Sequence, residues 1–374
     1  MRKHYLDSTS LAKHALRNII KNKRTLLSFE LEITARCNNT CQHCYINIPD
    51  SDKKAKAREL SFEEIMEIAD EAVSLGALWC LITGGEPLIR DDFPQIYLAL
   101  KRKGLLVSVF TNATLIDIEH IQLFKKFPPR DIEVTVYGIT ETTYERVTRK
   151  PGSFSNFNRG LNLLTKSDLK VRLKSTILRK NASELDEIRR FCHKHTKDYF
   201  RFDPFLHLRY DGDPKRNIEI IAQRLSPIDI VALEHSDHAR SNILKRECNK
   251  LIVPEFEKIN SHYLFRCGAG SNSFTVSNDG FFRLCSSLWH PDCIYDLKRG
   301  NLSDAWHKFV LKVREMKSDS TQFLDKCQVC PIINLCLWCP AHAHLETGLM
   351  DVPVEYFCNV ANARGKAIQG KISL

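Results

Sequence analysis

Apolar and polar positions alternate over short stretches between residues 25 and 204, and each stretch is followed by a longer segment with helical periodicity. Short β-rich runs that alternate with amphipathic segments are typical of a parallel sheet covered by helices. Six strands are predicted, over residues 26–34, 78–83, 105–111, 132–137, 171–177 and 199–202. The pattern therefore predicts an α/β fold, a partial (β/α)6 barrel, with an open sheet as the alternative.

Helices are predicted from residues that recur on one face at intervals of three and four. The segment over residues 61–75 begins with Ser61 and Glu64, which have the spacing of a capping box. The apolar face of this segment consists of Ile65, Ile68, Ala69 and Ala72. Further helices are predicted over residues 117–126, 155–164 and 183–195 by the same periodicity.

The remaining sequence predicts a division into four parts. These are an N-terminal part (1–24) with a basic amphipathic helix over residues 8–22, the barrel (25–205), a bridge of polar helices (206–264) and a C-terminal part (265–374). Eight of the fourteen cysteines lie in the last part, between Cys267 and Cys358. Little apolar periodicity remains there to form a core, so we expect a small cysteine-rich domain stabilised by iron or zinc.

Charge and hydropathy exclude several classes of protein. The 374 residues carry a formal net charge of +10, but the basic residues are spread in short groups, so we expect no nucleic-acid partner. No stretch approaches the ~18 apolar residues of a membrane span, and no signal peptide is evident, so we expect a cytoplasmic protein without a membrane partner. In that compartment cysteines are better explained as thiolate ligands than as disulfides.

Three cysteines, Cys37, Cys41 and Cys44, lie within eight residues directly after the first predicted strand. Three thiolates can hold three irons of a four-iron cluster and leave one iron open, although a zinc site is the alternative for this spacing alone. The later strands end in polar or glycine residues, among them Gly84-Gly85-Glu86, Thr111-Asn112, Thr135 and Ser175. Because the carboxyl ends of barrel strands share one face, we expect all these groups to converge.

The Cys-x3-Cys-x2-Cys motif followed by Gly-Gly-Glu-Pro resembles the radical S-adenosylmethionine (radical SAM) superfamily. The resemblance implies that the three cysteines hold a four-iron cluster whose free iron chelates S-adenosylmethionine, which is then cleaved to a 5′-deoxyadenosyl radical. It implies cofactor contacts by His43 near the adenine, by Gly84, Gly85 and Glu86 at the methionine amino group, and by Thr135 and Ser175 at the ribose or carboxylate. Tyr137 stands where relatives often have an acidic residue.

The C-terminal cysteines resemble the SPASM extension of radical SAM enzymes, with one departure: two residues rather than three separate Cys336 from Cys339. The resemblance implies two auxiliary four-iron clusters, and therefore three 4Fe-4S clusters in all. One auxiliary cluster would use Cys267, Cys285 and Cys339, with its fourth ligand undecided between Cys293 and an open iron. The other would use Cys327, Cys330, Cys336 and Cys358. A zinc site is the alternative for the two Cys-x2-Cys pairs.

The resemblance to radical SAM/SPASM enzymes implies oxidative modification of a ribosomally made peptide or protein, with electrons from a donor such as flavodoxin or ferredoxin. Only about 25 residues precede the first predicted strand, so a peptide would need either a separate peptide carrier or a groove formed by the barrel and the bridge. One alternative is a radical enzyme that acts on a small molecule such as a cofactor or haem precursor. The other is a noncatalytic iron-sulfur electron carrier, which would have no need of Gly84, Gly85 and Glu86.

Overall fold

The computed structural model describes residues 24–198, 200–238, 241–242, 245–246, 262–265, 267–336 and 338–370. The predicted helix over residues 8–22 lies outside them. The strands are β1 (Ser28–Thr34), β2 (Arg36–Cys37), β3 (Ile48–Pro49), β4 (Trp79–Gly84), β5 (Leu106–Thr111), β6 (Asp131–Thr135), β7 (Val171–Thr176), β8 (Arg201–Asp203), β9 (Ser273–Val276), β10 (Phe281–Arg283) and β11 (Tyr295–Asp296). Nine of them form one sheet in the order β11-β10-β9-β1-β4-β5-β6-β7-β8, and β2 pairs with β3.

The parallel core of the sheet confirms the predicted fold class. Strands β1 and β4 to β8 correspond to the six predicted strands, and each pairs in parallel with its neighbour. The first of these strands begins two residues later than predicted, and the last is displaced towards residue 203. The connecting segments are long enough for parallel crossovers, and helices occupy all of them.

The helices of the barrel are α1 (Lys53–Arg58), α2 (Phe62–Ser74), α3 (Phe93–Arg102), α4 (Ile118–Lys126), α5 (Glu141–Thr148), α6 (Ser153–Thr165) and α7 (Leu185–His195). The capping box of α2 forms as predicted: Glu64 N donates to Ser61 Oγ at 3.1 Å, and Ser61 N donates to Glu64 Oε2 at 2.8 Å. The sequence analysis does not predict helices α1, α3 and α5.

Each barrel strand presents one apolar face and one polar face, because successive side chains point to opposite sides of a sheet. In β1, Phe29, Leu31 and Ile33 are buried in the main hydrophobic core, whereas Glu30 and Glu32 lie on the opposite, concave face. The other concave-face residues of the barrel strands are Leu81, Thr83, Phe110, Glu133, Thr135, Lys174, Thr176 and Asp203. The concave face therefore forms a polar cavity.

The cysteine-rich C-terminal part extends the same sheet, which the sequence did not indicate. Strand β9 pairs in parallel with the outer edge of β1, and β10 and β11 follow in antiparallel order. Arg283 on β10 is fully buried and forms an ion pair with Glu32 on β1. Phe274, Phe282 and Trp306 belong to the core cluster of the barrel. The two regions thus share one sheet and one core.

The other α-helices lie in the bridge and in the C-terminal part. They are α8 (Pro214–Gln223), α9 (Pro227–Ser236), α10 (Leu302–Asp304), α11 (Val310–Arg314), α12 (Pro340–Thr347) and α13 (Glu355–Ile368). Helix α13 packs on α9, where Arg364 forms a buried bidentate pair with Glu234. Among the described residues, no helix is both long enough and apolar enough to cross a bilayer.

Candidate functional site

A cavity of about 340 Å³ opens at the carboxyl ends of the barrel strands. It contains the three cysteines of the first motif, because the chain leaves β1 through β2 and turns across the end of the barrel. Of the residues predicted to form this site, the cavity is lined by Cys37, Cys41, Cys44, His43, Gly84, Gly85 and Thr135. We call residues 37–47 the cysteine loop.

Neighbouring polar groups orient the thiols of the cysteine loop. The backbone N–H of Asn39 donates to Cys37 Sγ at 3.4 Å, and Asn112 Nδ2 approaches the same sulfur at 3.8 Å. The Tyr137 hydroxyl lowers the pKa of the Cys41 thiol, although burial has the larger, opposite effect. Tyr137 also lines the cavity, so its phenol lies beside the cysteine loop.

Burial and mutual repulsion disfavour the thiolate forms of Cys37 and Cys41. Burial is the largest cause that raises the pKa of Cys37 and Cys41, and the neighbouring cysteines raise both further. A bound positively charged group removes this penalty, since thiolate ligands lose their protons when metal binds. Three sulfur donors that converge on one cavity, two of them buried and the third half-buried, are chemically suited to the iron of a cluster.

Gly84 and Gly85 let the end of β4 pass directly beside the chain that enters the cysteine loop. Gly84 has a φ of +132°, and a Cβ atom on it would overlap Thr34 O. A Cβ on Gly85 would overlap Arg36 O and lie 2.7 Å from Ala35 O. Both glycines are thus required by close backbone approach, and they also form part of the cavity wall.

Glu86 is fully buried behind the glycines and is not among the residues that line the cavity. Its carboxylate accepts hydrogen bonds from Thr111 Oγ1 and Asn112 N, both at 2.7 Å, and from Leu88 N at 3.2 Å. Burial raises the pKa of Glu86 to about 7, and these hydrogen bonds oppose the rise. The structure therefore places Glu86 as a link between the ends of β4 and β5.

Several buried polar atoms around the cavity have no hydrogen-bond partner within the described chain. They include His43 Nδ1, His207 Nδ1 and both polar atoms of the Asn39 amide. The His43 ring tilts over Tyr137 with 5.1 Å between centroids, and burial lowers the pKa of His43 to about 4. Unpaired buried polar atoms are rare in proteins, so the cavity wall fits a polar ligand.

The two hydroxyl residues predicted on β6 and β7 lie on different sides of the sheet. Thr135 lines the cavity. Ser175 is buried outside the cavity, and its hydroxyl donates to Val136 O at 2.6 Å. Its neighbours Lys174 and Thr176 line the cavity instead, because adjacent residues of a strand face opposite ways.

The concave face carries more acidic than basic groups, a feature that the sequence analysis did not identify. The cavity lining includes four carboxylates, Glu30, Glu32, Glu133 and Asp203, against the single ammonium of Lys174. Ion pairs neutralise two of them: Glu32 binds Arg283, and Glu133 Oε1 lies 2.5 Å from Lys174 Nζ. Glu30 accepts a hydrogen bond from Thr275 at 3.1 Å, and burial raises its pKa.

Four of the C-terminal cysteines form one mutually interacting group. The thiols of Cys330, Cys336 and Cys358 all raise the pKa of Cys327, although burial is the larger cause. Cys358 and Cys330 in turn raise the pKa of Cys336 to about 11, again after burial. Cys358 comes from helix α13, so a segment distant in sequence completes the group.

A second group consists of Cys267, Cys285 and Cys339. Burial raises the pKa of Cys339 to about 12, and the other two thiols add to the rise. Cys293 is fully buried beside this group, but its Sγ lies 3.7 Å from Met316 Sδ and 3.9 Å from Met350 Sδ. The Cys293 thiol therefore packs between two thioethers.

The cysteine groups are more open than a single metal ion would require. Within the described residues, no three His, Cys, Asp or Glu side chains approach closely enough to ligate one ion together. Sulfurs bound to one zinc ion lie about 4 Å apart, since each is about 2.3 Å from the metal. Thiolates of a four-iron cluster bind separate irons and lie farther apart, so this arrangement is compatible with clusters.

Comparison with known proteins identifies relatives of the barrel and of the whole chain. The family model described as the Radical SAM superfamily matches residues 31–192. Fe-coproporphyrin III synthase of Methanosarcina barkeri is 30% identical over 249 residues, which are 64% of this chain and 55% of that protein. AdoMet-dependent heme synthase of the same organism is 24% identical over 85% of this chain and 92% of its own length.

A third relative is the antilisterial bacteriocin subtilosin biosynthesis protein AlbA of Bacillus subtilis, 24% identical over 68% of this chain and 54% of AlbA. Among solved structures, Streptococcus suis SuiB bound to precursor peptide SuiA matches with a TM-score of 0.66 and 16% identity, covering 94% of this chain and 80% of SuiB. The native anSMEcpe structure with bound AdoMet and Cp18Cys peptide gives 0.60 and 14%, covering 92% and 96%. These two likenesses concern the fold.

Proposed function

Because the chain belongs to the radical SAM superfamily of enzymes and carries a cysteine-rich C-terminal extension, we propose that it cleaves S-adenosylmethionine reductively and abstracts hydrogen from a peptide or protein substrate. The proposal rests on one observation. The three thiols of the cysteine loop, the glycine edge of β4 and unpartnered polar atoms meet in a single cavity at the carboxyl ends of the strands.

Cys37, Cys41 and Cys44 would hold a four-iron cluster, and S-adenosylmethionine bound to it would supply the radical. The chain's own residues bind and orient these groups. Gly84 and Gly85 leave room at the edge of β4, while His43 and Thr135 offer polar atoms to the cofactor. Burial of Cys37 and Cys41 keeps water out, and a reactive radical requires a water-poor site.

We assign two further four-iron clusters to the C-terminal cysteines. These assignments are supported by the separation of the thiols into two groups. Within each group, neighbouring thiols raise one another's pKa. Cys327, Cys330, Cys336 and Cys358 would hold one cluster. Cys267, Cys285 and Cys339 would hold the other with three thiolates, since the Cys293 thiol packs against Met316 and Met350. Electrons would come from a flavodoxin or ferredoxin.

The charge of the cavity supports a peptide over a polyanionic small molecule. Two of the four carboxylates in its wall are paired with Arg283 and Lys174, so these cations are already engaged and offer little attraction to substrates that bear several carboxylates or phosphates. Peptide segments with neutral or basic side chains do not need such cations. SuiB and anSMEcpe, whose folds match this chain, were both solved with bound peptides.

A second candidate is modification of a small molecule. AdoMet-dependent heme synthase aligns with 85% of this chain and 92% of its own length, which is a more complete match than that of AlbA. This candidate would require the carboxylates of a tetrapyrrole to bind away from Glu30 and Asp203.

The test is anaerobic coexpression of the enzyme with short peptides encoded beside its gene, followed by peptide mass measurement. Cys41→Ala is the matched control, because it removes one thiol of the cysteine loop. We expect a loss of two hydrogens from a peptide with the wild type and no change with the variant. Unchanged peptides together with active 5′-deoxyadenosine production would favour the small-molecule candidate. A protein that neither binds nor cleaves S-adenosylmethionine would be an electron carrier.

A further inference from the structure

The segment that follows β8 contacts the cysteine loop through two arginines. Arg209 and Arg216 come from the start of the bridge and from helix α8, more than 160 residues after the loop that they contact. Asp211, Asp213 and Asn217 belong to the same segment. We call these five residues the arginine clamp.

Arg209 is buried and donates three hydrogen bonds to the loop from Nη1. The acceptors are Cys44 O at 3.3 Å, Asn47 O at 3.2 Å and Asn47 Oδ1 at 3.1 Å. Asp211 pairs with the opposite edge of the guanidinium, at 2.9 Å to Nε and 2.5 Å to Nη2. The backbone N–H of Arg209 donates to Asn217 Oδ1 at 2.9 Å, so the clamp also fixes its own shape.

Arg216 contacts the other side of the loop. Its Nη2 donates to Cys41 O at 2.9 Å and to Asn47 Oδ1 at 3.3 Å. Its partner carboxylate, Glu219, lies 3.5 Å from Nε, is half-exposed and also pairs with Arg149. Arg216 is therefore less neutralised than Arg209, whose carboxylate partner is dedicated to it.

Each guanidinium donates a hydrogen bond to the backbone carbonyl of a cysteine residue of the loop, Arg209 to Cys44 and Arg216 to Cys41. The contacts therefore place positive charge close to both residues. A fixed positive charge stabilises the more negative of two redox states. In a water-poor site this stabilisation is screened less than in solvent.

We propose that Arg209 and Arg216 are positioning residues that hold the cysteine loop in its cluster-binding shape and raise the reduction potential of the cluster bound there. The inference rests on the proposed function only in requiring a cluster at Cys37, Cys41 and Cys44. It does not depend on the identity of the substrate.

The experiment is an anaerobic redox titration of the reconstituted enzyme, followed by electron paramagnetic resonance. The signal of the cluster in the cysteine loop is recognised by its change on addition of S-adenosylmethionine, which separates it from the auxiliary clusters. Arg209→Gln and Arg216→Gln remove charge and are expected to shift the midpoint potential to more negative values. Arg216→Lys keeps the charge and should remain closer to the wild type.

Asp211→Asn provides a test of opposite sign. It removes the negative charge beside Arg209 while keeping the size of the side chain, so the midpoint potential should shift to more positive values. Arg190→Gln is the matched control, since Arg190 pairs with Glu187 on the exposed face of α7. That variant should have the wild-type potential and iron content.

Wild-type potentials in both glutamine variants, with the cluster retained, would overturn the proposal. So would a shift of Asp211→Asn in the same direction as the glutamine variants, because a purely conformational effect has no charge-dependent sign. If the glutamine variants lose iron, the midpoint potentials of Asp211→Asn and Arg216→Lys decide. A positive shift in Asp211→Asn with a potential close to the wild type in Arg216→Lys would support the proposal, and any other result would overturn it. A wild-type protein without any signal that responds to S-adenosylmethionine would instead refute the proposed function.

Discussion

The buried ion pair between Arg283 and Glu32 joins the C-terminal part to the first barrel strand, and its removal should be costly. Relative exposure is 0% for Arg283 and 2% for Glu32. The guanidinium also donates to Ser286 O at 2.6 Å and lies 3.7 Å from the centroid of the Trp289 ring. Arg283→Met would keep much of the volume but leave the Glu32 carboxylate unpaired in a dry environment.

Loss of one partner from a buried ion pair costs about 3–5 kcal/mol, most of it the penalty of the charge left behind. We expect a loss of that size in Arg283→Met. The double variant with Glu32→Gln should recover part of it, because no uncompensated charge remains. Arg190→Met, at an exposed ion pair, should change the free energy of unfolding by no more than about 1 kcal/mol.

The loss of unfolding free energy in Arg283→Met, relative to the wild type, should depend on pH; we call this loss its deficit. Burial raises the pKa of Glu32, and Arg283 opposes the rise, so the variant has a folded-state pKa still farther above the unfolded value. Folding of the variant therefore favours the protonated carboxyl. Its deficit should be largest above the folded-state pKa and should shrink as the pH falls towards the ordinary carboxyl range of about 4.

Urea unfolding under anaerobic conditions, followed by tryptophan fluorescence at several pH values, measures these effects. The reasoning would be refuted if Arg283→Met were no less stable than Arg190→Met. It would also be refuted if the double variant lost as much as the sum of both single variants, since the two side chains would then act independently.

Three further predictions concern the cavity and its cysteines. Gly85→Ala should lose about 1–3 kcal/mol of stability and weaken S-adenosylmethionine binding in calorimetry, whereas Gly268→Ala, whose Cβ would meet no atom within 4 Å, should do neither. Cys293→Ala should retain the wild-type iron content in anaerobic iron analysis, whereas Cys285→Ala should lose iron; equal loss would make Cys293 a ligand. Ser175→Ala should bind S-adenosylmethionine with wild-type affinity, because the Ser175 hydroxyl donates to Val136 O outside the cavity. A tenfold weaker affinity would contradict the structure.

The sequence predicted the parallel core because each barrel strand is a local pattern of apolar residues with a helix behind it. It also placed Cys37, Cys41, Gly84 and Gly85 at one end of the barrel, since that follows from strand direction alone. Ser175 shows where such reasoning fell short. The alternation of strand β7 was available in the sequence and assigns Lys174 and Thr176, not Ser175, to the cavity face.

Other features depend on contacts between distant segments and could not be predicted. The arginine clamp reaches the cysteine loop across more than 160 residues, and nothing in the sequence indicates that Arg209 or Arg216 contacts this loop. The buried position of Glu86 depends on donors from β5 and the turn after it. Likewise, the short strand β9 gives no local sign that it pairs with β1.

The pairing of β9 with β1 imposes an order on synthesis and folding. Thr275 and Glu30, joined across this pair, are 245 residues apart, so the ribosome produces the first strand long before its outer neighbour. Until then β1 has an unpaired edge, which is a site for wrong pairing with other chains. Contacts of such long range also slow folding. The free edge of β1, beside the cavity that would bind S-adenosylmethionine, is therefore covered only after the start of the cysteine-rich part has been made.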